Sequence, residues 1–423
     1  MVTRIPIVGD VLVWARKRNK LEVVDAARKL KCDHDQLIKI ESGELLPTAG
    51  LFRRMASVYL LPEATLLRDT VPAERPLPKD FRSFDGAAVS LSYQTIASIR
   101  HVEARQEAMA MLAEIDRDIV PPNLPVHSLN ENPEKLGANF RRQLGFPVVD
   151  QLRLTSDKAF MRWRVLVENM GVSVYVEPFG KDDTRGVSIF FNAFPAIVID
   201  QQEKFTGARL FTLFHELCHL LLRQAGISNF NGRNSVEAFC NRFAAAFLMP
   251  VEAVEAVFDL SKLKSGEPEI ADLEFAAAKL CVTISQVALR LEQLGYTESG
   301  YYKRIASKLR PPTPKRKKKD AQVPFKFTYL SSAGHNLPTT VFASMDRQQI
   351  TKLEASRMLD LAPSHFNTIR TVINARRAEA IDGGWKTYFQ LRTPDLGGFV
   401  KYNIAKIMSR KNERAEACAS ALR

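Results

Sequence analysis

Apolar residues recur at helical spacing through residues 10–67, and this pattern predicts five short amphipathic helices. Leu37 and Ile40 form the apolar face of the third helix, which begins after the N-cap residue Asp33. A short turn, residues 31–33, separates this helix from the small-residue helix before it. Two helices joined in this way predict a helix-turn-helix.

The pattern changes after residue 70 and again near residue 157. Residues 70–150 combine Pro-rich segments with long helical ones, which is typical of a connector. A helix ended by Gly171 then leads to VSVYVEP, which alternates like a strand, and RGVSIFFNAFPAIVID predicts two further strands. These strands precede the apolar helix LFTLFHELCHLLLRQ.

The segments after Pro250 are mostly helical in pattern. One of them, EIADLEFAAAKLCVTISQVALRLEQLG, resembles a second helix-turn-helix, for which ordinary helix packing is the simpler interpretation. The basic, Pro-rich RPPTPKRKKKDAQ predicts a solvated tether, with non-specific nucleic-acid contact as the alternative. The last hundred residues begin with the strand-like FKFTYL and continue with helices near residues 346–377. No internal repeat is predicted.

Composition narrows the function classes. A chain of 423 residues with 46% hydrophobic residues predicts several globular domains, and it holds no apolar run long enough to cross a membrane. Its N-terminus lacks the features of a signal peptide, and its five cysteines form no CxxC pair, so we expect reduced thiols in a cytoplasm. The net charge of +13 favours an acidic partner, most simply nucleic acid.

The N-terminal helices resemble the Cro/C1-type helix-turn-helix family, with Lys31 where that family often has a turn glycine. The match covers about 55 residues and rests on Ala26, Ala27, Leu30, Leu37, Glu41, Ser42 and Gly43. The resemblance implies duplex DNA binding, because the second helix of such a motif meets base edges. The predicted base-reading residues are His34, Gln36 and Lys39, and the predicted phosphate contacts are Arg16, Lys17 and Arg18. A helical hairpin used for protein contact is the alternative, and Asp35 is unfavourable beside a phosphate-lined groove.

Two histidines four residues apart lie on the apolar helix described above. Residues i and i+4 share one helix face, so the imidazoles of His215 and His219 can converge on a single ion. Glu216 follows the first histidine directly, where it can act as a base toward a water molecule in the H-E-x-x-H arrangement of zinc peptidases. The alternative is a pair of buried core histidines. Cys218 lies on a different face and is predicted to be a buried apolar thiol.

A catalytic zinc site usually has three protein ligands, so a third must come from elsewhere in the chain. Glu237 begins the next predicted helix, 18 residues after His219, and shares a face with Asn241 and Ala244. It is the candidate for the third ligand. The alternative is an acidic residue that only favours the N-terminal end of the helix dipole.

FTLFHELCHLLL together with VEAFCNRFAAAFLMP resembles the ImmA/IrrE family of metallopeptidases over roughly residues 135–300. The matching residues are Phe211, Thr212, Leu213, His215, Glu216, His219, Glu237, Asn241, Phe243, Ala244, Leu248, Met249 and Pro250. The resemblance implies that His215, His219 and Glu237 bind the metal and that Glu216 is the general base. Zn²⁺ is the expected metal, and Mn²⁺ also suits two imidazoles and a carboxylate.

The resemblance further implies an endopeptidase that cleaves a helix-turn-helix repressor of a stress response or a mobile element. An extended substrate would pair with a strand before His215, for which GVSIFF is the candidate. The competing hypothesis is a DNA-binding regulator or antitoxin whose peptidase-like domain is a non-catalytic scaffold. The expected partners are a repressor-type protein and double-stranded DNA, without a membrane, and homodimerisation is left open.

Together these patterns predict an α+β, mainly α protein in five parts. Residues 1–75 form a five-helix helix-turn-helix domain and residues 76–134 a helical connector. Residues 135–308 form a zincin-like helical peptidase domain with a small β-sheet. Residues 309–322 form the basic linker, and residues 323–423 a C-terminal α/β domain of unknown type with a sensory or regulatory role.

Overall fold

The structure is a computed structural model that describes residues 3–73, 91–181, 183–191, 193–223, 235–259, 263, 266–309 and 324–380. Internal contacts divide the chain into two compact units. The first unit is Met1–Ala104 with Pro178–Thr184, and the second is Arg105–Glu177 with Arg185–Arg423. The described part of the chain is mainly helical and contains one three-stranded sheet, as predicted for an α+β, mainly α protein.

The first unit contains the five predicted N-terminal helices and the start of a longer one. They are α1 (Gly9–Arg18), α2 (Val23–Leu30), α3 (His34–Glu41), α4 (Ala49–Tyr59), α5 (Glu63–Leu66) and α6 (Tyr93–Ile115). The buried apolar residues of α1 to α5 form one core, to which Leu12, Leu30 and Tyr59 contribute fully buried side chains. The prediction of five helices over residues 10–67 is confirmed.

The turn between α2 and α3 has the backbone of a helix C-cap. Lys31 adopts the left-handed conformation with φ of 51° and ψ of 47°, which explains why glycine suits this position. The carboxylate of Asp33 then accepts hydrogen bonds from the backbone N–H groups of Asp35 and Gln36, at 2.9 and 3.3 Å, and caps α3 as predicted.

The described part of the second unit before residue 310 contains further helices around the sheet. They are α7 (Pro133–Gln143), α8 (Val148–Leu152), α9 (Ser156–Asn169), α10 (Thr206–Leu221), α11 (Ser235–Leu248), α12 (Val251–Glu255), α13 (Ile270–Leu280), α14 (Ile284–Gln293) and α15 (Tyr301–Lys308). The centre of this core is aromatic. The ring of Trp163 on α9 lies 5.2 Å from that of Phe214 and 5.4 Å from that of Phe247, which ties α9, α10 and α11 together.

The sheet has the order β1-β3-β2, with β1 (Ser173–Glu177), β2 (Gly186–Phe191) and β3 (Phe194–Asp200). The central strand β3 pairs with β1 in parallel and with β2 in antiparallel orientation. All five residues of β1 are buried, so this strand does not have the half-exposed face that its alternating sequence indicated. The three predicted strands are confirmed, and β2 lies at one edge of the sheet.

Helices alone make up the regular structure of residues 324–380. They are α16 (Phe325–Ala333), α17 (Asn336–Asp346), α18 (Lys352–Leu359) and α19 (Phe366–Ala380), with a 3-10 turn at Pro363–His365. The strand predicted for FKFTYL is therefore wrong, and the described part of the expected C-terminal α/β domain is helical. An alternating strand would bury Phe325 and Phe327 together, but these rings are 52% and 39% exposed, whereas Leu330 and Ala333 are buried at helical spacing.

These C-terminal helices share a second core of the same unit with the last three turns of α6, through residues such as Met109, Leu112, Val341 and Ile369. The predicted basic run at 315–319 and residues 381–423 lie outside the described residues, as do residues 76–90 of the predicted connector. No helix among the described residues is both long and apolar enough to cross a bilayer.

Candidate metal centre

Helix α10 places His215 and His219 one turn apart inside the core. The two histidines are 0% and 2% exposed, because the helix that carries them is buried on almost all sides. Their Nε2 atoms lie 3.0 Å apart. Two imidazole nitrogens at this distance can share either one proton or one metal ion.

Helix α11 brings the carboxylate of Glu237 to the same point. One carboxylate oxygen lies 3.1 Å from Nε2 of His215, and the other lies 3.2 Å from Nε2 of His219. The three groups form a set that could hold one metal ion, and the Glu237 side chain is 33% exposed. The sequence prediction that these three residues converge is met by the geometry.

The donor atoms suit a small divalent cation. Tetrahedral zinc with ligands at about 2.0–2.1 Å separates neighbouring donor atoms by roughly 3.3 Å, close to the spacing found among His215, His219 and Glu237. Two nitrogen donors and one carboxylate are a common catalytic set, which leaves a fourth position for a water molecule or substrate. The residues present therefore fit a metal ion.

The electrostatics of Glu237 favour its ionised form. Burial opposes ionisation, but hydrogen bonds from His215 and His219 outweigh it and hold the pKa of the carboxyl well below its ordinary value. A carboxylate that stays ionised at neutral pH is the form that binds a cation.

Asn241 is a neighbour of the centre, and the sequence assigned it no role beyond sharing a face with Glu237 and matching the family motif. Its Oδ1 lies 2.9 Å from Nδ1 of His215, on the side of the ring opposite the metal-facing Nε2. An acceptor there holds the proton on Nδ1 and directs Nε2 toward His219 and Glu237. The i, i+4 spacing of Glu237 and Asn241 was the signal that could have assigned this role.

Glu216 lies against the first residue of β2. The residue is 4% exposed, and a Cβ atom built at Gly186 would lie 3.0 Å from its Cγ and 3.1 Å from its Oε1. The missing side chain at Gly186 thus lets the edge strand approach the carboxylate closely. Sequence reasoning did not identify Gly186, because nothing local distinguishes it from a turn glycine.

Two thiols lie behind the metal ligands. Cys218 is fully buried, as predicted, and it contacts Cys240 of α11, which is also fully buried. Burial raises the pKa of the Cys240 thiol well above its ordinary value, so this thiol stays protonated and serves packing.

The predicted DNA-contact residues divide into exposed and buried ones. His34, Lys17 and Lys39 are exposed, and Gln36 and Arg18 are half-buried. The Arg18 guanidinium lies 5.7 Å from the centre of the Trp14 ring.

Arg16 has a different place from the one predicted. It is 6% exposed and forms a two-pronged ion pair with Glu41, at 2.8 and 2.9 Å, while a third nitrogen donates to the carbonyl of Leu21. Its guanidinium therefore joins α1 to the end of α3, and the predicted phosphate contact is not supported. From the sequence, a basic residue near the end of a helix is expected to be exposed. Only the fold shows that Arg16 forms an ion pair with Glu41.

Residues 167–292 match a family model described as the IrrE N-terminal-like domain, Peptidase_M78. The matched segment includes His215, Glu216, His219 and Glu237, and it extends over the whole sheet and α10 to α14. A search of curated proteins found no match for the chain. This segment is therefore similar to the metallopeptidase-type domain of the IrrE family, and that similarity supports the resemblance found in the sequence.

Proposed function

We propose that this protein is a metal-dependent endopeptidase that cleaves a regulatory protein. The observation that carries the proposal is the convergence of His215, His219 and Glu237 within 3.0–3.2 Å of one another, with Glu216 one position after the first ligand. A set of three ligands, with a carboxylate beside it that is not part of the set, favours a hydrolase over a structural metal site, which usually has four protein ligands.

A zinc or manganese ion held by the three side chains would supply a Lewis acid that polarises a peptide carbonyl. Glu216 would take the proton from the attacking water and deliver it to the amine that leaves. Asn241 would hold His215 in the tautomer that keeps Nε2 facing the cation. Glu237 contributes negative charge, which its low pKa preserves at neutral pH.

The substrate segment is proposed to bind in extended form along β2. Among the described residues this strand pairs with β3 alone, so its other edge is proposed to offer backbone groups for strand addition. At its first residue, Gly186, an added Cβ atom would lie 3.1 Å from Oε1 of Glu216, which supports a substrate path beside the proposed base. Phe190 is 39% exposed on the same strand and lies under the Arg223 guanidinium at 4.4 Å, so it offers an apolar contact to a substrate side chain.

The opposite edge of the sheet is less suitable, because α16 packs against β1. Arg164 donates to the carbonyl of Val174 on β1 and, at 2.6 Å, to that of Ser331 on α16. Through these hydrogen bonds, Arg164 on α9 joins β1 to α16, so this edge of the sheet is already in contact with another part of the protein. The two edges therefore differ, and β2 is the one that serves an extended peptide.

A helix-turn-helix repressor is the proposed substrate, on the basis of the family resemblance. Duplex DNA binding by the N-terminal helices is a second proposed activity. The observation that favours it is the α2–α3 hairpin, in which His34 and Lys39 are exposed on the second helix while Leu37 and Ile40 are buried beneath them.

The comparison of wild type with Glu216→Gln tests the peptidase against a non-catalytic regulator. Each would be expressed beside candidate repressors, with cleavage followed by immunoblot and the controlled promoter by a reporter. We expect Glu216→Gln to keep its metal and to lose cleavage by at least about a hundredfold, the usual scale for a general base. If the repressor stays intact with both proteins and both control the promoter equally, the scaffold hypothesis is correct.

A further inference from the structure

The C-terminal helices α18 and α19 are joined by a turn that repeats the α2–α3 turn. Asp360 follows α18 in the left-handed conformation, with φ of 47° and ψ of 48°. Its N–H donates to the carbonyl of Arg357 at 3.3 Å, and the N–H of Leu361 donates to that of Ser356 at 3.1 Å. These two bonds close the end of α18.

The N-terminal hairpin has the same two bonds at the same spacing. Lys31 donates to the carbonyl of Arg28 at 3.2 Å, and Cys32 donates to that of Ala27 at 3.1 Å. Both first helices contain eight residues, and Lys31 has nearly the φ and ψ of Asp360. The two turns therefore have one local backbone geometry.

The buried positions of the two hairpins also correspond one to one. Every pair occupies the same place relative to the turn, and all eight residues are 0–3% exposed: Ala26 and Ala355, Leu30 and Leu359, Leu37 and Phe366, Ile40 and Ile369. The two segments do not read as an internal repeat in the sequence, because little beyond these apolar positions is shared. The structure shows a recurring hairpin where the sequence shows none.

The exposed face of the second helix carries groups suited to hydrogen bonding with nucleic acid. Its exposed polar residues, counted from the 3-10 turn onward, are Ser364, His365, Asn367, Thr368, Thr371 and Asn374. Residues 361–375 contain no carboxylate, in contrast to α3, where Asp35 lies near the start. Hydroxyl and amide side chains contact both base edges and phosphates.

A third hairpin in the same fold shows that the turn by itself does not make a binding surface. Between α13 and α14, Cys281 is left-handed with φ of 56°, and Val282 donates to the carbonyl of Ala277 at 3.0 Å. Its second helix is packed into the core, because Arg290 is 1% exposed and donates to the carbonyl of Met249 and to Glu134. This hairpin is ordinary packing, as the sequence analysis favoured, whereas the polar face of α19 is exposed.

The charge of this part of the chain favours a polyanion. Residues 310–380 contain thirteen Lys and Arg against five Asp and Glu, in a chain whose net charge is +13. Among the acidic residues, Asp346 is paired with Arg370, and Glu354 accepts hydrogen bonds from Thr351 as part of a helix cap. Neither carboxylate belongs to the exposed face of α19.

We propose that α18–α19 is a duplex-DNA-binding hairpin, in which α19 enters the major groove and Ser364, Asn367 and Thr368 contact base edges. This site is separate from the metal centre and from the α2–α3 hairpin. It gives the C-terminal part of the chain a role in recognising a DNA sequence.

The test uses the full chain. Wild type is used to select duplexes from a randomised pool, and the affinity for the selected duplex and for a scrambled one is measured by fluorescence anisotropy. The test variant is Ser364→Ala with Asn367→Ala. Its matched control is Ser299→Ala with Asn130→Ala, which removes the same two side-chain types from exposed positions on other elements.

We expect the test variant to lose affinity for the selected duplex by about tenfold or more, since one base contact contributes on that scale. The control should bind like wild type, and binding of the scrambled duplex should change little. Thr368→Glu is a second variant, because an exposed carboxylate on this face should repel DNA without disturbing the core. Circular dichroism checks that both variants are folded.

Three outcomes overturn the proposal. One is that the full chain enriches no duplex from the pool. Another is that folded Ser364→Ala/Asn367→Ala and Thr368→Glu variants select and bind the same duplex as wild type, which would assign the face to protein contact or to no ligand. The third is that single-stranded RNA of the selected sequence binds as tightly as the duplex and is equally affected by the variants.

Discussion

Gly186 on β2 faces Glu216 on α10 with no room for a side chain between them. A Cβ atom at Gly186 would lie 2.4 Å from Cγ2 of Thr212 as well as 3.1 Å from Oε1 of Glu216. The edge strand and the proposed general base are thus held at a separation that only glycine permits.

Gly186→Ala should therefore move β2 away from α10, because two non-bonded carbon atoms, the new Cβ and Cγ2 of Thr212, cannot lie 2.4 Å apart. We expect peptidase activity to fall by about tenfold or more, since misplacement by about 1 Å can cost more than that, with the metal content unchanged. Gly266→Ala is the matched control, because nothing lies within 4 Å of a Cβ there. Equal activity of both variants in a peptide-cleavage assay would remove the edge strand from the mechanism.

Asn241→Ala should weaken metal binding without abolishing it. The side chain orients His215 and does not belong to the donor set, and loss of such a partner typically costs about 10–100-fold in metal affinity. Glu237→Gln should be more severe, because it removes an anionic ligand. Competition with a chromophoric chelator measures both affinities, and Asn130→Ala is the surface control. An unchanged affinity in Asn241→Ala would contradict the orienting role.

Arg16→Ala and Lys17→Ala should separate stability from DNA binding. Removing Arg16 leaves the Glu41 side chain, which is 8% exposed, without this partner, so we expect the N-terminal helices to lose about 3 kcal/mol of stability. Lys17 is exposed, so its replacement should leave thermal unfolding unchanged while weakening binding to all duplexes alike. Thermal unfolding by circular dichroism and DNA titrations at two salt concentrations distinguish the effects. An equally stable Arg16→Ala would show that the ion pair contributes little.

The buried carboxylate of Glu168 should make the docking of the C-terminal helices sensitive to acid. Burial opposes its ionisation, but Arg164 and His335 outweigh burial and lower the pKa of Glu168. Its Oε2 lies 2.9 Å from Nδ1 of His335, at the start of α17. Because the folded-state pKa is lowered, this carboxylate contributes stability above the ordinary glutamate pKa of about 4.3 and loses it as the pH falls further.

Glu168→Gln should consequently be less stable than wild type at pH 7, and the difference should shrink as the pH falls below about 4.3. Urea unfolding between pH 3 and pH 7 measures this difference. Glu131→Gln is a comparison variant at an exposed carboxylate whose pKa is also lowered, chiefly by a backbone hydrogen bond from Ser128. A stability difference for Glu168→Gln that is independent of pH would contradict the assigned ionisation.

Elements whose signals are local could be predicted from the sequence. The approach of His215 and His219 follows from i, i+4 spacing on one helix, and Asp33 marks the start of α3 because its cap involves residues two and three positions away. Alternating and turn residues likewise located the strands of the sheet. The FKFTYL segment shows the limit of such signals. Its alternating pattern predicted a strand, but it did not indicate which of the six residues are buried in the folded protein.

Contacts between residues far apart in the chain could not be predicted in this way, and they appear only in the folded protein. Folding brought Glu237 and Asn241 to the two sides of His215, joined Arg16 to Glu41, and set β2 against Glu216 through Gly186. The similarity of α18–α19 to the α2–α3 hairpin also appears only in the structure, because the corresponding buried positions often carry different apolar residues. The physical reason is that local periodicity encodes backbone conformation and a buried face, whereas the partner of that face is chosen by packing across the whole core.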